Sequence, residues 1–157
     1  MHIPVIETPA SPTRLDALVH CLKTRGCRIT PQRVAVLKII LNSPQHPSAE
    51  EIHARVQVDY PMTSLATVYK TLALLKDMGQ VTEISLGHSG SRYDGHPADP
   101  HSHLICLKCN RILDADIPTL ETLAQSVRQA TGFTITHQRF DFFGVCIDCQ
   151  NNPNSTT

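Results

Sequence analysis

Four of the six cysteines in this 157-residue chain form two Cys-x-x-Cys pairs, Cys106/Cys109 and Cys146/Cys149. Each spacing fits a tight turn that points two thiolates at one ion. Two such turns complete a tetrahedral sulfur cage, which suits Zn²⁺. Paired disulfides would belong to an oxidising compartment, and the chain shows no signal-peptide pattern. A redox Cys-x-x-Cys would need a βαβ setting that the sequence does not supply. Four protein thiolates close the site, so this ion is expected to hold the fold rather than do chemistry. Cys21 and Cys27 have no ligand spacing and read as ordinary thiols.

A second constellation lies just upstream. His101 and His103 are two apart on a predicted strand and share a face, with Cys106 on the opposite parity. Two adjacent imidazoles are half of a transition-metal site; the plain alternative is a pair of surface histidines. Asp114, Asp94 and His46 are candidate completing ligands. Spacing alone does not choose them over Asp99, His88 or His96.

These residues must be positioned by helices in the first half of the chain and by an α+β segment in the second. Leu15, Leu18, Val19 and Leu22 fall at helical spacing and predict a helix over 13–25, capped by Thr13 and ended by Gly26. Thr30-Pro31 starts a second helix carrying Val34, Leu37, Ile40 and Leu41. Ser48-Ala49-Glu50-Glu51 is a capping box for a third, with Ile52 and Val56 inward. Ser64 caps a fourth, over 64–78, with Val68, Leu72 and Leu75 inward and Thr67, Tyr69, Lys70 and Thr71 outward. Alternation then predicts a β-hairpin over 81–94. Helix, turn, capped helix and hairpin together make a winged-helix pattern. Beyond a linker at 95–100, strands flank the first cysteine pair. A helix over 118–131 follows, with Leu120, Leu123, Ala124 and Val127 inward. A long strand over 133–145 comes next, its broken alternation suggesting a bulge or burial on both faces. The expected organisation is a tail (1–12), a DNA-binding domain (13–94), a hinge (95–100), a dimerising metal-binding domain (101–149) and a second tail (150–157).

Formal net charge is zero, which by itself argues against nonspecific nucleic-acid binding. The distribution says more. Arg14, Lys23, Arg25, Arg28, Arg33 and Lys38 cluster near the front against the single Asp16, a basic patch of the kind a DNA-binding module carries. No apolar run approaches the ~20 residues of a membrane span, and a cytoplasmic location is expected. Exposed aromatics on a small sheet point to a homodimer through the C-terminal domain.

Six motifs, in order, resemble the ferric uptake regulator (Fur) family of metal-dependent repressors. They are Arg28-Ile29-Thr30-Pro31-Gln32-Arg33, His46-Pro47-Ser48-Ala49-Glu50-Glu51-Ile52, Ala66-Thr67-Val68-Tyr69-Lys70-Thr71-Leu72, Ser91-Arg92-Tyr93-Asp94, His101-Ser102-His103-Leu104-Ile105-Cys106-x-x-Cys109, and Gly144-Val145-Cys146-x-x-Cys149. The resemblance implies a winged-helix N-terminal domain, a hinge, and a C-terminal α/β dimerisation domain with a Cys₄ zinc. It implies a regulatory Fe²⁺ or Mn²⁺ ion on His46, Asp94, His101, His103 and Asp114. It also implies a palindromic, A·T-rich operator, with Arg28 in the minor groove and Tyr69 and Lys70 in the major groove. Ser64 and Thr67 at the helix start are suited to phosphate contacts. Aspartate at 114, where the iron-responsive branch commonly has glutamate, resembles the peroxide-responsive branch. There, Fe-catalysed oxidation of His46 or His101 would release the DNA. Pro100, Ser102 and Gln138 depart from a further metal site common in the iron-responsive branch, so that site is expected to be absent, although His137 is adjacent.

Three rivals bound this reading. One is an iron-level sensor of the same family. Another is a metalloenzyme on His101 and His103, but there is no His-Glu-x-x-His and no separate nucleophile, so no enzyme is expected. The last is a zinc-stapled interaction module that never touches DNA.

Overall fold

The computed structural model describes residues 12–96, 101–136 and 138–152. The expected N-terminal tail up to residue 11, Pro97 to Pro100 of the linker, His137, and the C-terminal stretch from 153 lie outside them. The chain divides into two compact units, one ending at Asp99 and the other running on from Pro100.

The N-terminal unit is built on four helices: α1 (Pro12–Thr24), α2 (Pro31–Leu41), α3 (Ala49–Asp59) and α4 (Leu65–Asp77). α1 starts at Pro12, so Thr13 lies inside the helix rather than capping it. The other three starts follow the sequence. Thr30, Ser48 and Ser64 each accept the backbone N–H three residues on, and Pro31 takes the first turn of α2. At α3 the box is complete: Glu51 N–H donates to Ser48 Oγ at 3.1 Å, and Ser48 N–H to Glu51 Oε2 at 2.7 Å. Two orphan donors of the helix are thereby satisfied.

Leu18, Leu22, Leu37, Ile40, Leu41, Ile52, Val56, Val68, Leu72 and Leu75 form one buried cluster. Two expectations need correction here. Val36 is fully buried while Val34 is only half-buried, because α2 is apolar almost all round and its stripe does not declare a face. Thr71 is buried rather than outward. It lies three residues after Val68 and four before Leu75, and its hydroxyl donates to the Thr67 carbonyl at 2.8 Å. Satisfied in this way, it packs like an apolar side chain.

β1 (Thr82–Ser85) and β2 (Ser91–Asp94) form the antiparallel wing, with Thr82 opposite Asp94. Four helices and a terminal hairpin are the winged-helix arrangement.

The C-terminal unit centres on a three-stranded sheet in the order β4-β3-β5. β3 (Ser102–Cys106) pairs antiparallel with β4 (Ile112–Ala115) through the first cysteine turn. β5 (Phe140–Gly144) returns through α5 (Thr119–Thr131) to pair in parallel with the other edge of β3. α6 (Ile147–Asn151) follows Cys146 and runs into the stretch expected to be a loose tail. α5 stops at Gly132, whose φ of 70° places it in the left-handed region that glycine enters without penalty.

The expected strand over 133–145 forms only at its end. Residues 133–136, 138 and 139 have no ladder partner among the described residues, and extended backbone without a partner is not a strand. Phe133 lies outside the strand, and Phe142 and Phe143 within it are 45% and 58% exposed, so the two-sided burial offered for the broken alternation does not occur within this chain. Only Ala124 of the α5 stripe is fully buried, with Leu123 49% and Val127 40% exposed. The stripe is larger than one subunit's small sheet can cover.

At Gly95 a Cβ would meet the Ile40 carbonyl oxygen at 2.6 Å. Gly95→Ala should therefore force α2 away from the end of β2 and cost about 1–3 kcal/mol, as overpacking does. A lowered urea midpoint in equilibrium unfolding would register this.

Candidate functional site

The two Cys-x-x-Cys turns converge. Cys106, Cys109, Cys146 and Cys149 bring one sulfur each into a group whose members all lie within 4.8 Å of one another. Cys109 Sγ and Cys146 Sγ are 3.7 Å apart. A tetrahedron with metal–sulfur bonds of ~2.3 Å has edges of ~3.7–3.8 Å, so the spacing fits one zinc ion. The first turn closes where the Asn110 N–H donates to the Cys106 carbonyl at 2.9 Å, and the φ of 57° at Asn110 then turns the chain back toward β4. Burial pushes the Cys106 thiol up. Backbone hydrogen bonds from Cys146, Cys109 and Lys108 outweigh that and bring it down to about 6, so the ligand form, the thiolate, is favoured at neutral pH. Arg111 bridges the two turns, donating to Asp148 at 2.5 Å.

On the C-terminal sheet, β pairing lines up a polar row. Asp114 on β4 and Asp141 on β5 both stand opposite His103 on β3. His103 Nε2 lies 3.2 Å from His101 Nε2, and Asp114 Oδ1 lies 3.8 Å from His101 Nε2 and 4.0 Å from His103 Nε2. Ligand atoms around an ion with ~2.1 Å bonds sit roughly 3–4 Å apart, so this trio has the spacing of a partial coordination shell. The other ring nitrogen of His103, Nδ1, is 3.0 Å from Asp141 Oδ1, and Asp141 Oδ2 is held by Arg139 at 2.6 Å. Burial pushes the Asp141 carboxyl up. The bonds from Arg139 and His103 outweigh it and keep the carboxyl below the usual range. An anionic Asp141 can only accept, so His103 donates its Nδ1–H to it and keeps Nε2 as the lone-pair nitrogen on the side of Asp114, as carboxylates behind ligating histidines do.

In the N-terminal unit, His46 and Asp94 are both buried, with His46 Nε2 3.8 Å from Asp94 Oδ1. The loop that carries His46 is fixed on both sides. Tyr93 N–H donates to the Pro47 carbonyl at 3.1 Å, and Ser48 opens α3. His46 itself takes a φ of +48°, a left-handed conformation that a non-glycine residue holds only when its surroundings impose it. His96 N–H donates to Asp94 Oδ1 at 2.7 Å. Thus His46 and Asp94 are neighbours in one unit, and His101, His103 and Asp114 are neighbours in the other.

The candidate DNA-facing residues all lie in the N-terminal unit. Arg28 and Lys70 are exposed. Ser64 is engaged as a cap, accepting the Thr67 N–H at 3.3 Å, with its hydroxyl 3.0 Å from that of Thr67. Tyr69 is 44% exposed, and its hydroxyl donates to Glu50 Oε1 at 2.7 Å. Sequence reasoning missed Glu50, Arg139 and Asp141. Asp141 shares a parity with the sheet's polar face, but only the parallel register of β5 on β3 reveals that it meets His103.

The sequence model described as "Ferric uptake regulator family" matches residues 24–143. The peroxide-responsive repressor PerR of Staphylococcus saprophyticus is 40% identical over 138 residues, covering 88% of this chain and 93% of its own. That of Staphylococcus aureus is 37% identical over 146 residues, covering 93% and 98%. Among solved structures, the Campylobacter jejuni peroxide stress regulator superposes with a TM-score of 0.70 at 32% identity, covering 84% of this chain and 98% of that one. The Helicobacter pylori ferric uptake regulator Fur, described as having three functional metal binding sites, superposes with a TM-score of 0.78 at 26% identity, covering 94% and 97%.

If Asp141 orients His103, Asp141→Ala should weaken metal binding about 10–100-fold, the usual loss for such a partner. A Co²⁺ titration followed by visible absorption would measure the loss with the thiolate site already filled by zinc.

Proposed function

The chain belongs to the ferric uptake regulator family, and from that premise we propose that it is a homodimeric, metal-dependent, DNA-binding transcriptional repressor that senses hydrogen peroxide and derepresses oxidative-stress genes. The supporting observation is Asp114 beside His101 and His103, in a chain whose curated relatives at 37–40% identity are peroxide-responsive repressors. It acts in the cytoplasm as a regulator and not as an enzyme; no helix among the described residues is long and apolar enough to cross a membrane.

Cys106, Cys109, Cys146 and Cys149 hold a structural zinc. The regulatory ion, Fe²⁺ or Mn²⁺, is assigned to His46, Asp94, His101, His103 and Asp114. This donor set of three imidazoles and two carboxylates suits a borderline-to-hard divalent ion and leaves room for a sixth ligand. His46 and Asp94 belong to the DNA-binding unit and the other three to the dimerising unit. Sharing one ion, they would fix the angle at which each recognition helix, α4, is presented. In a two-fold dimer that angle must match major grooves spaced by whole helical turns, about 34 Å apart or a multiple. The coupling required is typically ~1–3 kcal/mol.

Iron held there would supply the redox chemistry that activates hydrogen peroxide. His46 or His101 would be the side chain oxidised, gaining one peroxide oxygen at a ring carbon while the other oxygen leaves as water. An oxidised ring ligates poorly, the fixed angle is lost, and the DNA is released. On the DNA side, Arg28 is assigned to the minor groove, Tyr69 and Lys70 to base edges in the major groove, and Ser64 and Thr67 to phosphates. The dimer is assigned to the C-terminal sheet. There Leu113, Phe142, Phe143, Val145 and Ile147 line an open apolar groove of about 330 Å³. The exposed flank of α5 offers Leu123 and Val127 to the same end.

Metal-loaded protein should retard an A·T-rich palindromic duplex in a gel shift, and Tyr69→Ala should abolish the shift. Peroxide should release the DNA from the Fe form and leave the Mn form bound. Peptide mass spectrometry should find one added oxygen on His46 or His101. An intact Fe–DNA complex after peroxide, with neither histidine modified, would reject the peroxide response and leave the iron-level sensor standing.

A further inference from the structure

Tyr69 reaches its place on α4 through a carboxylate on a different helix. Its hydroxyl donates to Glu50 Oε1 at 2.7 Å. An ionised carboxylate only accepts, so the proton direction is fixed and the ring is pinned at its far end. The bond from Tyr69 holds the Glu50 carboxyl below its usual range, and Glu50 in turn raises the Tyr69 phenol. Glu50 stands in the first turn of α3, where the helix dipole favours its charge.

The platform beneath Glu50 is rigid. Glu51, the next residue, closes the capping box with Ser48. The same Glu51 oxygen also accepts from Arg92 of the wing at 2.7 Å. The Pro47 carbonyl takes the Tyr93 N–H. Glu50 is thus fixed relative to α3, to β2 and to the loop that bears His46.

We propose that Glu50 is a specificity-determining residue: it presents the Tyr69 ring to the bases in one orientation, at the cost of an anionic side chain beside the DNA-reading helix. The inference rests on the assignment of Tyr69 to the major groove. Base edges are discriminated by contacts whose geometry must be right before the bases arrive, and an apolar ring edge against a thymine methyl is one of these. A pinned ring loses no further rotamer freedom on binding. The Glu50 charge meanwhile repels every phosphate equally and lowers affinity for any duplex. Orientation and charge therefore leave different signatures.

The experiment uses the full-length, zinc- and Mn²⁺-loaded protein and two labelled duplexes read by fluorescence anisotropy. One is selected by the wild type from a pool of A·T-rich palindromes; the other is its scrambled counterpart. Glu50→Ala should lower the ratio of the two affinities about tenfold, the worth of one hydrogen bond to a charged group. Tyr69→Phe should lower it as much, and the double variant no further. Glu50→Gln keeps an acceptor oxygen and removes the charge. It should keep most of the ratio while raising affinity for the scrambled duplex. A wild-type ratio in Glu50→Ala, or additive losses in the double variant, overturns the proposal. A wild type that yields no selected duplex overturns the DNA-reading assignment itself, and this inference with it.

Discussion

The constraint that shapes both units is the burial of ionisable groups. His46, Asp94 and His103 are each no more than 4% exposed, and taking an imidazole or a carboxylate out of water costs several kcal/mol unless charge and hydrogen bonds compensate. Part of the compensation is local: Asp141 serves His103, and the His96 amide serves Asp94. Between His101 and His103 one ring nitrogen can donate to the other at 3.2 Å, and a carboxylate oxygen lies within 4.0 Å of both, a spacing that also suits a shared divalent cation. Helix caps, the wing register and the sheet order are the means by which the chain holds these groups where water cannot reach them.

The N-terminal unit was largely legible from the amino acids because its signals are local. A capping hydroxyl, a proline at the first turn and a stripe at helical spacing all act within a few residues. The ambiguities fell where such signals are blunt. α2 is apolar on nearly every side, so Val34 and Val36 could not be ranked. Thr71 is polar by type but apolar in effect once its hydroxyl bonds the previous turn.

The C-terminal unit was legible in its cysteines and histidines but not in its pairing. The stripe of α5 and the aromatics of β5 record surface that is to be buried, not which chain buries it, so Leu123 and Val127 looked internal. Alternation over 133–145 reports facing and says nothing about partners, so the strand it predicts forms only from Phe140 on. Asp141 is hidden from the sequence for the same reason. Its role depends on a parallel register between strands more than thirty residues apart in sequence, and no local pattern encodes that.

β5 is flanked by the sulfur turns: Leu107 N–H donates to the Gly144 carbonyl beside the first turn, and Cys146 N–H reaches Cys106 Sγ. The last strand to leave the ribosome is thus clasped to the middle one by the cysteines, and it is the strand that delivers Asp141. A loosened thiolate cage would therefore reach the histidine row through this strand, by slackening the hold of β5 on β3 and with it the carboxylate behind His103.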